Sequence, residues 1–252
     1  MWRRGHNWCI LLLLLGITAS VWAQTPVAVP RVSVQVGTAQ SPKDVAVTLQ
    51  VLILMTLLTL APAFLIMTTA FTRIVVVLAF LRTAIGTPTI PPNQVLIGLS
   101  LFLTFFVMAP VFDEINQNAL QPYLNNRLSF QQALRNAEKP LRAFMLRQTY
   151  EKDLQLFINL SKPKQPPRTP DDVPTTVIIP AFILSELKTA FIIGFYIYIP
   201  FLIIDMFVAS TLMSMGMMML PPIVISLPFK LLVFIMANGW TLLIGSLVAG
   251  FK

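Results

Sequence analysis

The sequence predicts an all-α protein of the integral-membrane type, built from apolar helical hairpins. Three observations carry that prediction. Hydrophobic residues make up 56% of the 252 and charged residues only 11%, far from the balance of a soluble domain. Uncharged apolar runs recur at residues 45–71, 95–112, 189–204 and 231–251, and about 20 such residues span a bilayer as a helix. Residues 180–230 add isolated charges, interrupting prolines and a methionine cluster, none of which a plain hydrocarbon anchor requires.

Residues 1–23 read as a cleaved signal peptide. Arg3 and Arg4 form a basic start, residues 9–15 an apolar stretch, and Val21-Trp22-Ala23 a small-residue cleavage site. Cleavage would remove the only Cys, Cys9, and the only His, His6. Disulfides, His or Cys metal ligation and His-assisted nucleophilic catalysis are then excluded. Residues 24–44 contain Pro26, Pro30 and Pro42 without an apolar period and read as a polar tail.

A first hydrophobic hairpin is expected over residues 45–112. Its first helix covers residues 45–71, with Pro62 marking a kink. Arg73 and Arg82 flank eight apolar residues, too few to span alone, which either continue a long helix or turn back. Gly86, Pro88, Pro91 and Pro92 break the chain, and a second helix covers residues 95–112, closed by Asp113 and Glu114.

Residues 113–179 have the composition of a soluble segment and read as an extracytoplasmic helical insertion. Ser129 followed by Gln132 makes a capping box, and Pro140 suits the first turn of a further helix. Residues 161–174 form a Pro-rich linker. The basic residues alone would place the insertion in the cytoplasm, but that rule is weak for loops beyond about 60 residues. A cleaved signal followed by two spans places it outside.

Residues 180–252 form a second hydrophobic hairpin with a methionine-rich turn. Met213, Met215, Met217, Met218 and Met219 cover every side of a helix rather than one stripe, with Gly216 inside and Pro221-Pro222 directly after. The chain is therefore expected to turn there. Methionine is most often a core gap-filler, yet a flexible apolar plug also fits a pore constriction that seals and deforms. The final arm covers residues 231–251, with Gly245 and Ala249 at small-residue packing spacing.

Charges at membrane depth cost about 2.5 to 3.5 kcal/mol on insertion scales and so face partners or water. Lys188 and Asp205 bracket only 16 uncharged residues and could snorkel at two interfaces. Glu186 shares a helix face with Ala190 and Gly194 and cannot reach far, so it is expected to be buried and paired. Glu186 and Lys188 lie about 200° apart around a helix and cannot meet. Lys230 is the expected partner of Glu186.

The formal charge of +8 is scattered and the aromatics lie in apolar runs, which excludes a nucleic-acid platform. An intramembrane hydrolase lacks a nucleophile and base. Two classes remain: a pore-forming subunit, and a small-molecule or ion carrier using Glu186 and Asp205 as relay groups. A carrier built from inverted repeats finds no internal repeat here.

Long motifs favour the first. PAFILSELKTAFIIGFYIYIPFLIIDM, MSMGMMMLPP, ISLPFKLLVF and NGW, together with FTRIVVVLAFLRTAIGTPTIPPNQVLIGLSLFLTFFVMAP, resemble the FliP family of type III export-gate proteins over well over half of the expected mature chain. The resemblance implies a subunit of a multimeric helical ring in the inner membrane of the bacterial cell, at the flagellar basal body. It implies several copies of the chain with FliQ-like and FliR-like small membrane subunits and the larger export-gate membrane protein. Unfolded flagellar substrates would pass through the ring, and its hairpins would be held largely above the bilayer plane. It implies no cofactor, metal or catalysis.

Overall fold

The computed structural model describes residues 42–163, 167–217 and 219–251. The expected signal peptide and nearly all of the polar tail lie outside them, as do Met218 and part of the Pro-rich linker. The chain divides into two units at residues 52 and 53. The first is described only through the opening turns of α1, Pro42–Thr68. Everything below concerns residues from Ile53 onward.

Helices α2 (Phe71–Ile85) and α3 (Asn93–Ile115) follow α1, and a π-helical turn, Asn116–Leu120, leads into α4 (Gln121–Leu124). Then come α5 (Phe130–Gln148), α6 (Glu151–Ser161), a 3-10 turn at Pro170–Asp172, α7 (Thr175–Ser214), α8 (Pro222–Met236) and α9 (Gly239–Ala249). No strand occurs among the described residues. The fold is all-α, as expected.

The short segment between Arg73 and Arg82 is neither a span nor a continuation of α1. It is α2, the centre of the core, with Ile74, Val77 and Leu78 wholly buried against α7, where Ile178 and Phe182 are equally buried. Each such side chain contributes about 1.5 to 3 kcal/mol by leaving water. Phe80 packs edge-to-face on Phe191, with centroids 5.1 Å apart. Its ring also lies against Gly194, where an added Cβ would stand 2.6 Å away. The apolar run is short because this helix needs to fill a core, not cross 30 Å of hydrocarbon.

Three sequence-derived boundaries need correction. Asp113 and Glu114 lie in the last turn of α3, which ends at Ile115, but the helical path does not stop there: the π-helical turn carries it on to Leu124, and the chain reverses near Asn126 at φ 56°. Exposed carboxylates do not break a helix that can solvate them. Pro140 lies inside α5 rather than at a helix start. The capping box holds: Gln132 N–H donates to Ser129 Oγ, and Ser129 N–H donates to Gln132 Oε1 at 3.0 Å. The last arm is not one helix, because α8 and α9 meet at a 64° bend. Asn238, at φ 51°, makes the bend, and Gly239 sits where a Cβ would meet the Phe234 ring at 2.2 Å.

Three helical stretches, Leu49–Thr68, Asn93–Leu124 and Thr175–Ser214, are long and apolar enough to cross a membrane. The bent α8–α9 pair makes a fourth when counted as one span.

Candidate functional site

Helix α7 runs 40 residues and carries Glu186, Lys188 and Asp205 along its length, ending at the methionine turn. Each of the three charges is matched by a different element. The expected Glu186–Lys230 pair is not formed within the chain, because both groups are committed elsewhere.

Glu186, fully buried, is held by Arg73 of α2. Arg73 Nε donates to Glu186 Oε2 at 2.9 Å and Nη2 donates to Oε1, a two-point fork. The remaining guanidinium hydrogens reach Gln148 Oε1 at 3.0 Å and the Gly250 carbonyl at 3.2 Å, while the Phe251 ring covers the group at 4.0 Å. One arginine therefore joins α2, α5, α7 and the residues after α9. In the sequence Arg73 looks like a flanking charge, and only the knowledge that α2 is a core helix marks it as buried.

Lys230 of α8 is also buried, and its partner is Asp205, at 2.6 Å. Its ammonium further donates to the Ala84 carbonyl at 3.2 Å, an acceptor at the C-terminal end of α2. Ser226, one turn before Lys230 on the same face, donates to the other Asp205 oxygen at 2.5 Å. Gly86, at φ 89°, ends α2 and lets Leu227 approach to 3.4 Å from where its Cβ would stand.

Lys188 is half exposed and paired with Asp153 of α6, so neither Lys188 nor Asp205 is simply a snorkelling interface charge. Asp153 is buried and also accepts from Ser185 Oγ at 2.9 Å, while Ser185 accepts from the Tyr150 N–H at 3.0 Å. Burial pushes the Asp153 carboxyl upward, but the Lys188 and Ser185 hydrogen bonds outweigh it and hold the carboxyl below its usual range. Asp153 and Ser185 carry no sequence signal of their own, since they are joined only by the docking of α6 on α7.

Beyond these ties, α7 and α8 reach the methionine turn. Met213 lies in the last turn of α7, Met215 caps it, and Gly216 reverses the chain at φ 75°. Met213, Met215 and Met217 are exposed, and Met219 is 99% exposed. The described methionines of this turn therefore fill no core in this chain. The Asp205–Lys230 bridge sits about two helical turns before Met213 and two after Pro222, so it fixes the base of the hairpin while its tip stays unpacked. Among the described residues no group of three or more His, Cys, Asp or Glu could hold a metal ion.

Residues 54–247 match the model of the FliP family. The chain is 54% identical to the flagellar biosynthetic protein FliP of Bacillus subtilis, over 86% of this chain and 98% of that protein. It is 49% identical to the protein of that name in Pectobacterium carotovorum, over 98% of this chain and 94% of the relative. The Aquifex aeolicus protein is also 49% identical, over 96% and 98%. With the family model matched over residues 54–247 and identity near one half over most of the chain, the chain belongs to the FliP family.

Proposed function

We propose that the chain is a pore-forming core subunit of the flagellar type III protein export gate, through which unfolded flagellar substrates cross the inner membrane at the basal body. The FliP relatives are named for flagellar biosynthesis, and the several long apolar helices suit a membrane component. The subunit works as a ring of several copies, joined by FliQ-like and FliR-like small subunits and the larger export-gate membrane protein.

The observation that carries the pore reading is the methionine turn: a bare apolar tip on a hairpin whose base is locked by an ion pair between the buried Lys230 and the partly buried Asp205. Converging from several copies, Met213, Met215, Met217, Met218 and Met219 form a compressible seal. Unbranched thioethers repack around a passing chain with little strain, and an apolar constriction excludes water at rest. The carrier reading has less support, since Glu186 and Asp205 are both held in ion pairs that leave neither free as a relay.

Replacing the five methionines with alanine tests the gate. The expected result is an assembled complex that leaks ions or small solutes across the membrane. Normal assembly with no added conductance and native export would refute the seal.

A further inference from the structure

The apolar helices α2, α3, α7, α8 and α9 carry four basic side chains, Arg73, Arg82, Lys188 and Lys230. Three of them meet a carboxylate, and Arg82 does not. Arg82 lies in the last turn of α2, where its Nη1 donates to Asn93 Oδ1 at 2.6 Å and to the Pro91 carbonyl at 3.3 Å. Both acceptors are neutral, so they hold the side chain across the α2–α3 loop without balancing its charge. Nε is shut off from water with no partner, and Nη2 makes no hydrogen bond among the described residues. In Arg73 these same two nitrogens grip Glu186, Nε on one oxygen and Nη2 on the other. In Arg82 that edge of the guanidinium is unused.

We infer that Arg82 is paired in the assembled complex with a carboxylate of a different, small membrane subunit, carried on an apolar helix that packs over the α2–α3 loop. The inference rests on the reading of the chain as one subunit of a multi-subunit gate.

A carboxylate engages this edge with two parallel bonds once a small turn of the guanidinium presents Nε. Without one, a cation withdrawn from water has nothing to compensate its lost hydration. The surroundings suit a protein partner. Ile90, beside Pro91, is 68% exposed, and Val95, two residues after Asn93, is 54% exposed. An arginine flanked by bare apolar side chains has the composition of an interface hot spot, whose apolar surround excludes water from the central pair.

A second copy of this chain is a poor source of the carboxylate. Copies in a ring whose axis follows α3 and α7 stand level with one another, so the group would have to lie near the height of Arg82. From Ile53 onward, Asp205 is at that height, tied through Lys230 to the Ala84 carbonyl, and Lys230 and Ser226 take both its oxygens. Glu186 is committed to Arg73 at the other end of α2. Asp113 and Glu114 lie about 30 Å from Asn93 along α3, and the remaining carboxylates from Ile53 onward belong to the insertion that follows them.

The test uses the full chain co-expressed with its small partner subunits, purified in mild detergent and read by native and lipid mass spectrometry. The unaltered chain is expected to carry small subunits; if it purifies without any, the gate reading falls and this inference with it. Arg82→Gln should lower the small-subunit content about tenfold, a loss of about 1.4 kcal/mol, while copies of this chain stay together. Arg82→Lys, which keeps the charge but not the fork, should fall between. Asn93→Ala removes the acceptor within the chain and should leave the small subunits in place. Arg82→Glu should be rescued by changing one Asp or Glu of a small subunit to Lys, and that rescue decides the matter even where Arg82→Gln lowers the yield. Native small-subunit content in Arg82→Gln would overturn the pairing while leaving the gate reading intact. So would an equal loss in Asn93→Ala, which would make Arg82 a loop staple only, or rescue by a carboxylate of this chain itself. Loss of a bound anionic lipid with every small subunit retained would overturn it in favour of a phosphate.

Discussion

Replacing Arg73 with methionine tests the core of this structure most directly. The change removes the only partner, among the described residues, of the wholly buried Glu186 carboxylate while keeping an unbranched side chain of similar length. Breaking a buried pair from one side costs about 3 to 5 kcal/mol, because the surviving charge is left without compensation. Arg73→Met also loses the hydrogen bonds to Gln148 and Gly250, at about 1 kcal/mol each, and the stacking on Phe251, about 0.5 to 1 kcal/mol. Glu186→Gln leaves those other contacts in place and should cost less than Arg73→Met. For a chain of this size each kcal/mol shifts a melting temperature by about 2 to 4 °C, so both single variants are readable in a thermal unfolding assay of the detergent-purified complex. The double variant, Arg73→Met with Glu186→Leu, should lose less than the sum of its singles by about 2 to 3 kcal/mol. Arg73→Lys should not rescue, since an ammonium cannot reproduce the two-point fork. Additive losses, or a smaller effect for Arg73→Met than for Glu186→Gln, would refute the account of Arg73 as a four-way tie.

The Asp205–Lys230 bridge should hold the base of the methionine hairpin, so Lys230→Met is expected to make the residue 215–221 turn cleave faster in limited proteolysis, with an unchanged rate counting against it. Asp153 gives a pH signature. Its folded-state carboxyl is held low, so the stability it adds is full above the ordinary carboxylate range near pH 4 and is lost as pH falls through the lower folded value. The melting-temperature gap between the native protein and Asp153→Asn should shrink as pH drops from 6 to 3, and a gap that stays constant would show that ionisation is not what matters. Gly194→Ala and Gly239→Ala place a Cβ 2.6 and 2.2 Å from the Phe80 and Phe234 rings. Each should cost about 1 to 3 kcal/mol by overpacking, with relief when the facing Phe is reduced to Leu.

The all-α membrane character, the helical insertion, the Ser129–Gln132 capping box and the presence of isolated charges in apolar helices were legible in residue order. They depend on composition, spacing and local capping, which act over a few residues. Burial of Glu186 and Lys230 was legible for the same reason, since a charge amid apolar neighbours has nowhere to hide along its own helix. Their partners were not. Arg73 is 113 residues from Glu186, Asp205 is 25 from Lys230, and Asp153 is 35 from Lys188. Several oppositely charged groups compete for each, and helix packing alone chooses among them. The same holds for α2. Eight apolar residues between two arginines are equally compatible with a surface turn and with a core helix, and what makes this one the core is that α7 lays a wholly buried face along it. Residue order sets which groups must be buried or satisfied, while pairing depends on which elements lie side by side, and that is decided by side-chain packing over the whole chain.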